Sequence, residues 1–342
     1  MNLRKLGNSD LELTPVIMGT WALGGWMWGG TERNDADNAI AAALDAGINC
    51  IDTAPVYGFG LSEELVGQAI KNHHRDNLLI ATKCGLVWDN RPGGSDFFAT
   101  KNNAGEPTTL KRNLRTESII SECDQSLQRL GVDVIDLYQC HWPDPETPID
   151  YTIEALMTLK DKGKIRAFGV SNFSTEQIEG CISAGATPAS NQPKYSLLSR
   201  EIEADILPFC HKNNIGSIAY SPMEMGLLTG KISLDKEFPE NDTRANRPWF
   251  QPENRKLALN ALAKIEPIAK KHGITLAQLA TAWVHHQPGI TAAIVGCRNR
   301  EQAQSNAKAA SVKLSQDDLV QIRETFSHVE LAEPFDPATA KR

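Results

Sequence analysis

The chain has 342 residues, 41% hydrophobic and 23% charged, and 35 Lys and Arg against 42 Asp and Glu leave a net charge of −7. At about 100–200 residues per domain, that length is compatible with two domains or with one (β/α)8 barrel of about 250 residues carrying insertions. The acidic balance argues against a nucleic-acid partner or an anionic membrane, because either requires a basic surface to neutralise phosphates.

Taken in chain order, Met1–Lys5 runs into Gly7-Asn8-Ser9-Asp10 without an apolar core or cleavage site behind it, so no secretory signal is expected. Leu3–Leu13 reads as two short strands around that turn, a hairpin closing the bottom of a barrel. The uncharged run from Val16 to Gly30 is shorter than the ~20 residues of a spanning helix and is broken by glycines. Seven scattered cysteines form no C-x-x-C pair, which excludes a zinc ribbon and points to a reducing, cytoplasmic setting.

Short apolar runs then alternate with helical patterns, the signature of βα units and a parallel sheet. The expected strands are Val16–Gly19, Asn49–Thr53, Leu78–Lys83, Val134–Cys140, Ile165–Val170, Ala189–Gln192, Gly216–Tyr220 and Ala292–Gly296. Between the second and third, Ser62–Lys71 predicts a helix whose stripe is Leu65, Val66, Ala69 and Ile70, with Glu63 and Glu64 in its first turn and Ser62 as N-cap. Most strand ends recur at about thirty residues, as one βα unit requires. Two intervals, of 58 and 76 residues, are oversized and place long loops at Gly85–Thr116 and Pro222–Arg255. In a parallel barrel both lie on the C-terminal face, where active sites are built. The expectation is an α/β chain forming one (β/α)8 TIM barrel over residues 1–342, with an N-terminal hairpin, two long loops on the C-terminal face and a loose tail from 330 to 342.

Ionisable residues ending apolar strands are the informative class, because a strand buried on both faces tolerates few charges. Asp52 ends the second strand and Tyr57 follows in Asp52-Thr53-Ala54-Pro55-Val56-Tyr57-Gly58; Lys83 ends the third; His141 ends the fourth. Singly, each fits a structural ion pair or a packed ring, but a barrel gathers the tops of neighbouring strands around one point. A phenol beside an ammonium has its pKa drawn down toward the working range, an aspartate keeps that ammonium charged, and a neutral imidazole donates a hydrogen bond to a carbonyl oxygen. Such a group suits protonation of an oxyanion formed by attack of hydride from a nicotinamide.

These residues carry a resemblance to the aldo-keto reductase superfamily, nearest its bacterial and Shaker-type branch, from about Leu3 to about Phe326. Its motifs are Asp52-Thr53-Ala54…Tyr57-Gly58…Ser62-Glu63, Lys83, His141-Trp142-Pro143-Asp144 and Gly169-Val170-Ser171-Asn172-Phe173. The resemblance implies a catalytic tetrad of Asp52, Tyr57, Lys83 and His141, and NADP(H) bound in an extended pose without a Rossmann fold. Consistently, Gly58-Phe59-Gly60 lacks the third glycine of G-x-G-x-x-G and reads as a tight turn.

By the same resemblance, Ser171, Asn172 and Gln192 hydrogen-bond the nicotinamide carboxamide and Tyr220 stacks on its ring. Gly19, Thr20 and Trp21 lie beside the nicotinamide ribose, Asp52 is a further cofactor-binding residue, and Ser221, Pro222, Met223, Gly226, Leu227 and Leu228 cross the pyrophosphate. Gly296, Arg298, Gln302 and Asn306 take the adenosine end, with Arg298 on the 2′-phosphate. Val295 and Cys297 depart from the family's pattern there, which leaves NAD(H) as the alternative cofactor. The carbonyl substrate is expected against Trp21, Tyr57, Trp88, His141 and Trp142, with the tryptophans following the first, third and fourth strands near the barrel mouth. Lys111, Arg112 and Arg115 in the first insertion read as surface charges or as contacts to an anionic substrate.

The implied activity is reversible reduction of aldehydes or sugar carbonyls. A second reading is an NADP-binding regulatory subunit of the channel-β type. A metal-dependent hydrolase ranks last, since His73, His74, His211, His272, His285 and His286 form no ligand set on strand ends. Oligomeric state is not legible in the chain.

Overall fold

A computed structural model describes residues 1–28, 33–71, 73–89, 91–239 and 242–332. The strands β1 (Arg4–Lys5) and β2 (Glu12–Leu13) pair antiparallel, Arg4 opposite Leu13. Their hairpin sends Leu6, Leu11 and Leu13 into the lower barrel interior beside Ile17, Cys50, Ala81, Leu137 and Ala167. Full burial of one such leucine contributes about 1.5–3 kcal/mol, so the hairpin is a plug rather than a surface ornament.

Among the described residues eight parallel strands close the barrel: β3 (Val16–Gly19), β4 (Cys50–Asp52), β5 (Leu79–Cys84), β9 (Ile135–Cys140), β10 (Ile165–Ser171), β11 (Ser190–Gln192), β12 (Gly216–Ala219) and β13 (Ile290–Gly296), with β13 returning to β3. Every expected strand is present within two residues of its expected ends. The first insertion is not a loop. It folds as a second, antiparallel sheet of β6 (Leu86–Val87), β7 (Ser95–Lys101) and β8 (Pro107–Arg112), with β8 in the middle. The alternation of Phe97 or Phe98 and Leu110 with polar neighbours carried that signal, but interval counting discards it.

Around the barrel lie α1 (Arg33–Asp45), α2 (Leu61–Ile70), α3 (Thr116–Leu130), α4 (Ile149–Asp161), α5 (Thr175–Ser183), α6 (Ile206–Lys212), α7 (Pro252–Lys271), α8 (Leu276–His285), α9 (Arg300–Ala309) and α10 (Gln316–Phe326). Apolar faces such as Leu65, Val66 and Ile70 of α2 bury onto the outer strand surface with Ile51 and Ile80. Ser62 is not the N-cap of α2. Gly60, at φ +101°, occupies that position, and the Ser62 hydroxyl lies inside the molecule, donating to Thr20 Oγ1 at 2.7 Å and paired with Thr53 Oγ1 at 2.9 Å. The tail also begins more firmly than expected. Val329 and Leu331 pack on the cluster containing Trp249 and Phe326, and Ala332 N–H donates to Asn254 Oδ1 at 2.8 Å. Residues 333–342 of the expected tail lie outside the described residues.

Period-two alternation sets the site. Two residues beyond the apolar layer of Cys50, Ala81 and Leu137, the same inward face presents Asp52, Lys83 and Gln139. The register aligns them, with Asp52 opposite Ala81 and Lys83 opposite Gln139. Gly19 on β3, beside β4, and Gly169 on β10, beside β9, flank these strands; a Cβ there would meet Ile294 Cγ2 at 2.6 Å or Ser190 Oγ at 2.2 Å.

Candidate functional site

Three of the expected four form one continuous chain of contacts. Lys83 Nζ donates to Asp52 Oδ1 at 2.6 Å, to the Thr53 carbonyl at 2.9 Å and to Tyr57 Oη at 3.3 Å, which engages all three ammonium hydrogens. The other carboxylate oxygen of Asp52 accepts from Gln192 Nε2 at 2.9 Å and Gln139 Nε2 at 3.3 Å. Burial is the largest single influence on Lys83 and would lower its pKa, but the charge of Asp52, the proximity of Tyr57 and the hydrogen bonds to both together outweigh it, and the pKa stands above its ordinary value.

Tyr57 sits on the turn between β4 and α2. Gly58 takes φ +67°, and its Cβ would lie 2.4 Å from the Gly24 carbonyl oxygen, so this close crossing of two backbones requires glycine and fixes the tyrosine. Burial pushes the Tyr57 phenol up, and the downward pull of Lys83 only partly offsets it. The expected lowering is therefore reversed in this geometry, and the phenol stays protonated through the neutral range. The His141 imidazole stands edge-on to the Tyr57 ring, 5.6 Å between centroids. Burial, reinforced by the Lys83 charge, holds its pKa well below the usual range, so it is neutral as expected. Its backbone is held from both sides, its N–H donating to the Cys84 carbonyl at 2.9 Å and its carbonyl accepting from Asn172 Nδ2 at 3.1 Å.

Beyond His141, Ser171 Oγ donates to the Gln192 carbonyl at 2.8 Å, and Asn172, in the left-handed region at φ +62°, accepts from Tyr220 Oη at 3.0 Å. Ser171, Asn172, Gln192 and Tyr220 are thus gathered at one side of the mouth. Gln192 is partly committed, since its amide braces Asp52. Gln139, absent from the expected set, shares that role; its place two residues before His141 on the same inward face was the available signal. Thr20 is turned inward, its hydroxyl donating to the Asp52 carbonyl at 3.1 Å.

The second long loop opens with left-handed Ser221, Glu224, Met225 and Gly226. Glu224 anchors it through Lys194 Nζ at 2.5 Å and Ser196 Oγ at 2.9 Å. Pro222, Leu227 and Leu228 have buried side chains, the leucines packing with Ala258 and Leu279, and Met223 rests on the barrel's outer core. Leu227 and Leu228 therefore have only backbone groups to offer a phosphate.

At the far end, Arg298 and Arg244 both lie over the Trp28 ring, at 5.5 and 4.9 Å, and Asp242 neutralises one guanidinium by a bidentate bond from Arg244. Arg298 Nη2 donates to the Trp28 carbonyl at 2.5 Å, while Gln302 Oε1 accepts the Arg298 N–H and Asn306 Nδ2 donates to Gly296 O. Gln302 and Asn306 therefore shape the turn that carries Arg298. Burial and the charge of Arg244 lower the Arg298 pKa, against the opposite pull of Asp242. Among the described residues Trp21 Nε1 is also buried without a hydrogen-bond partner, next to Tyr57 at 6.2 Å between rings. An aromatic face, a set of amides and a hydroxyl, an unsatisfied donor and a guanidinium fit a nicotinamide dinucleotide.

The insertion sheet walls the mouth with rings. Trp26 stacks on Phe98 and donates to Thr100, Trp88 meets Phe59 edge-on, and Trp142 lies 5.3 Å from Phe97. Trp249 and Trp283 belong instead to the core between barrel and outer helices.

The chain matches the model of the "Aldo/keto reductase family" over residues 15–326. It is 39% identical to "Aldo-keto reductase YhdN" of Bacillus subtilis across 98% of this chain and 97% of that one. It is 40% identical to "NADH-specific methylglyoxal reductase" of Escherichia coli across 95% and 98%. A glycerol dehydrogenase from Gluconobacter oxydans superposes with a TM-score of 0.85 at 39% identity, covering 98% of both chains. Sequence, barrel and relatives agree that this chain belongs to the aldo/keto reductase family of oxidoreductases.

Proposed function

We propose that the chain reduces small aldehydes or ketones, sugar carbonyls among them, reversibly with NADP(H), and that Tyr57 is the proton donor. The observation that carries this is the contact chain from Asp52 through Lys83 to Tyr57 Oη. When bound, the cofactor supplies hydride to the carbonyl carbon. Tyr57, kept protonated by burial, gives its proton to the carbonyl oxygen. Lys83 stabilises the phenolate left behind, and Asp52 keeps Lys83 charged and aimed. The neutral His141 ring donates a hydrogen bond to the same oxygen. Trp21, Trp88 and Trp142 exclude water around it.

Ser171, Asn172 and Gln192 are assigned to the carboxamide and Tyr220 to the ring face. The cationic pair at Trp28 supports NADP(H) over NAD(H), against the precedent of the Escherichia coli relative, whose name specifies NADH. The completeness of the four-residue group favours turnover over a purely regulatory subunit. Seven buried, unpaired thiols support a reducing cytoplasmic setting. Tyr57→Phe is expected to abolish aldehyde reduction while a fluorescence titration still detects NADPH binding; undiminished turnover would sink the assignment.

A further inference from the structure

In β8, alternation places Leu110, fully buried against Ala54 and Val56, and Arg112 on the face that covers the Tyr57 turn, with Lys111 on the other. Arg112 stands opposite Leu86, a member of the same cluster. Its guanidinium lies 5.2 Å from the centre of the Phe97 ring, and Phe97 is 5.3 Å from Trp142, the residue after His141. Among the described residues Arg112 enters no ion pair, and its Nε is buried without a hydrogen-bond partner. Two other arginines at this face are paired, Arg91 with Asp89 and Arg244 with Asp242. Asp144, bonded to Ser95 opposite Arg112, is already occupied by the N–H groups of Leu114 and Glu146 and by the Thr147 hydroxyl.

A buried guanidinium N–H is costly to leave unsatisfied, and its planar fork matches the oxygens of a carboxylate or phosphate. We propose that Arg112 is a specificity-determining residue that receives an anionic group at the far end of the carbonyl substrate, whose carbon frame lies along Trp142 and Phe97. The assignment rests on the reading of the Tyr57 cleft as the carbonyl site and adds the substrate class: aldehydes bearing an oxyanion.

The test compares kcat/KM, with NADPH, for 4-carboxybenzaldehyde against benzaldehyde and for glyceraldehyde 3-phosphate against glyceraldehyde. In the wild type at least one anionic partner is expected to be preferred about tenfold or more, the gain appearing in KM and shrinking with added salt. The pair showing the preference identifies carboxylate or phosphate. Arg112→Gln is expected to bring the ratio to about one, and Arg112→Lys, which keeps the charge but loses the fork, to recover part of it. Equal ratios in wild type and Arg112→Gln for both pairs would overturn the role of Arg112 while leaving the carbonyl site standing. A wild type that reduces none of the four aldehydes would overturn the carbonyl reading and this one with it.

Discussion

Lys83 Nζ lies 2.6 Å from Asp52 Oδ1, with the lysine side chain fully buried and the aspartate nearly so. A buried pair of this kind adds little net stability over an apolar pair, because desolvation consumes most of the Coulomb gain. Its value here is directional: the ammonium is held charged and pointed at Tyr57 Oη.

Lys83→Met is expected to lower turnover by about 100-fold or more and to destabilise the fold by about 3–5 kcal/mol, since the Asp52 charge remains buried and unpaired. Adding Asp52→Asn removes that charge while preserving an acceptor for the glutamine amides. The double variant should regain most of the stability and none of the activity, measured by urea denaturation beside initial rates.

Gly58→Ala forces an L-residue into φ +67° and a Cβ to 2.4 Å from the Gly24 oxygen. The cost is about 1–2 kcal/mol of backbone strain plus the clash. A displacement of Tyr57 near 1 Å would cost about 100-fold in rate. The variant should therefore bind NADPH yet turn over slowly; a wild-type rate would show that the turn does not position the phenol.

Arg298→Gln removes a guanidinium assigned to the 2′-phosphate. NADPH affinity should fall about tenfold or more, in line with the loss of a charged hydrogen bond, and NADH affinity much less. Parallel fluorescence titrations read the difference, and an equal loss for both cofactors would reject the assignment.

Glu122 accepts the Gly85 N–H at 2.9 Å just beyond the end of β5, and burial pushes its carboxyl up to about 7 against the pull of Arg91. The folded state thus keeps a proton that the unfolded chain, with its ordinary value of 4.5, releases earlier. Stability attributable to this group is complete below pH 4.5 and is lost as pH rises toward 7, by about 3 kcal/mol in all. Glu122→Gln lacks that titration. Its stability relative to wild type should rise by about that amount between pH 4 and pH 8 in denaturant melts; a constant difference would show that folding does not raise the Glu122 pKa.

The eight barrel strands were legible because each is a short apolar run whose period is local, and Asp52, Lys83 and His141 were legible because a charge or imidazole at the end of such a run is conspicuous. Ser62 misled for an equally local reason: its position before Glu63 and an apolar stripe is a capping pattern, yet Gly60 tolerates the left-handed cap and releases the serine to bond Thr20. What no local pattern contains is contact between strands distant in sequence. Gln192 bracing Asp52, Arg244 and Arg298 sharing the Trp28 ring, and Arg112 left unpaired over Phe97 each join segments far apart along the chain. The direction of the Tyr57 shift belongs to the same class. The sequence by itself determined which chemical groups the barrel carries; closure of the barrel decided which are paired, which are dry and which remain free to meet a ligand, because desolvation and hydrogen bonding depend on neighbours that only the tertiary structure brings together.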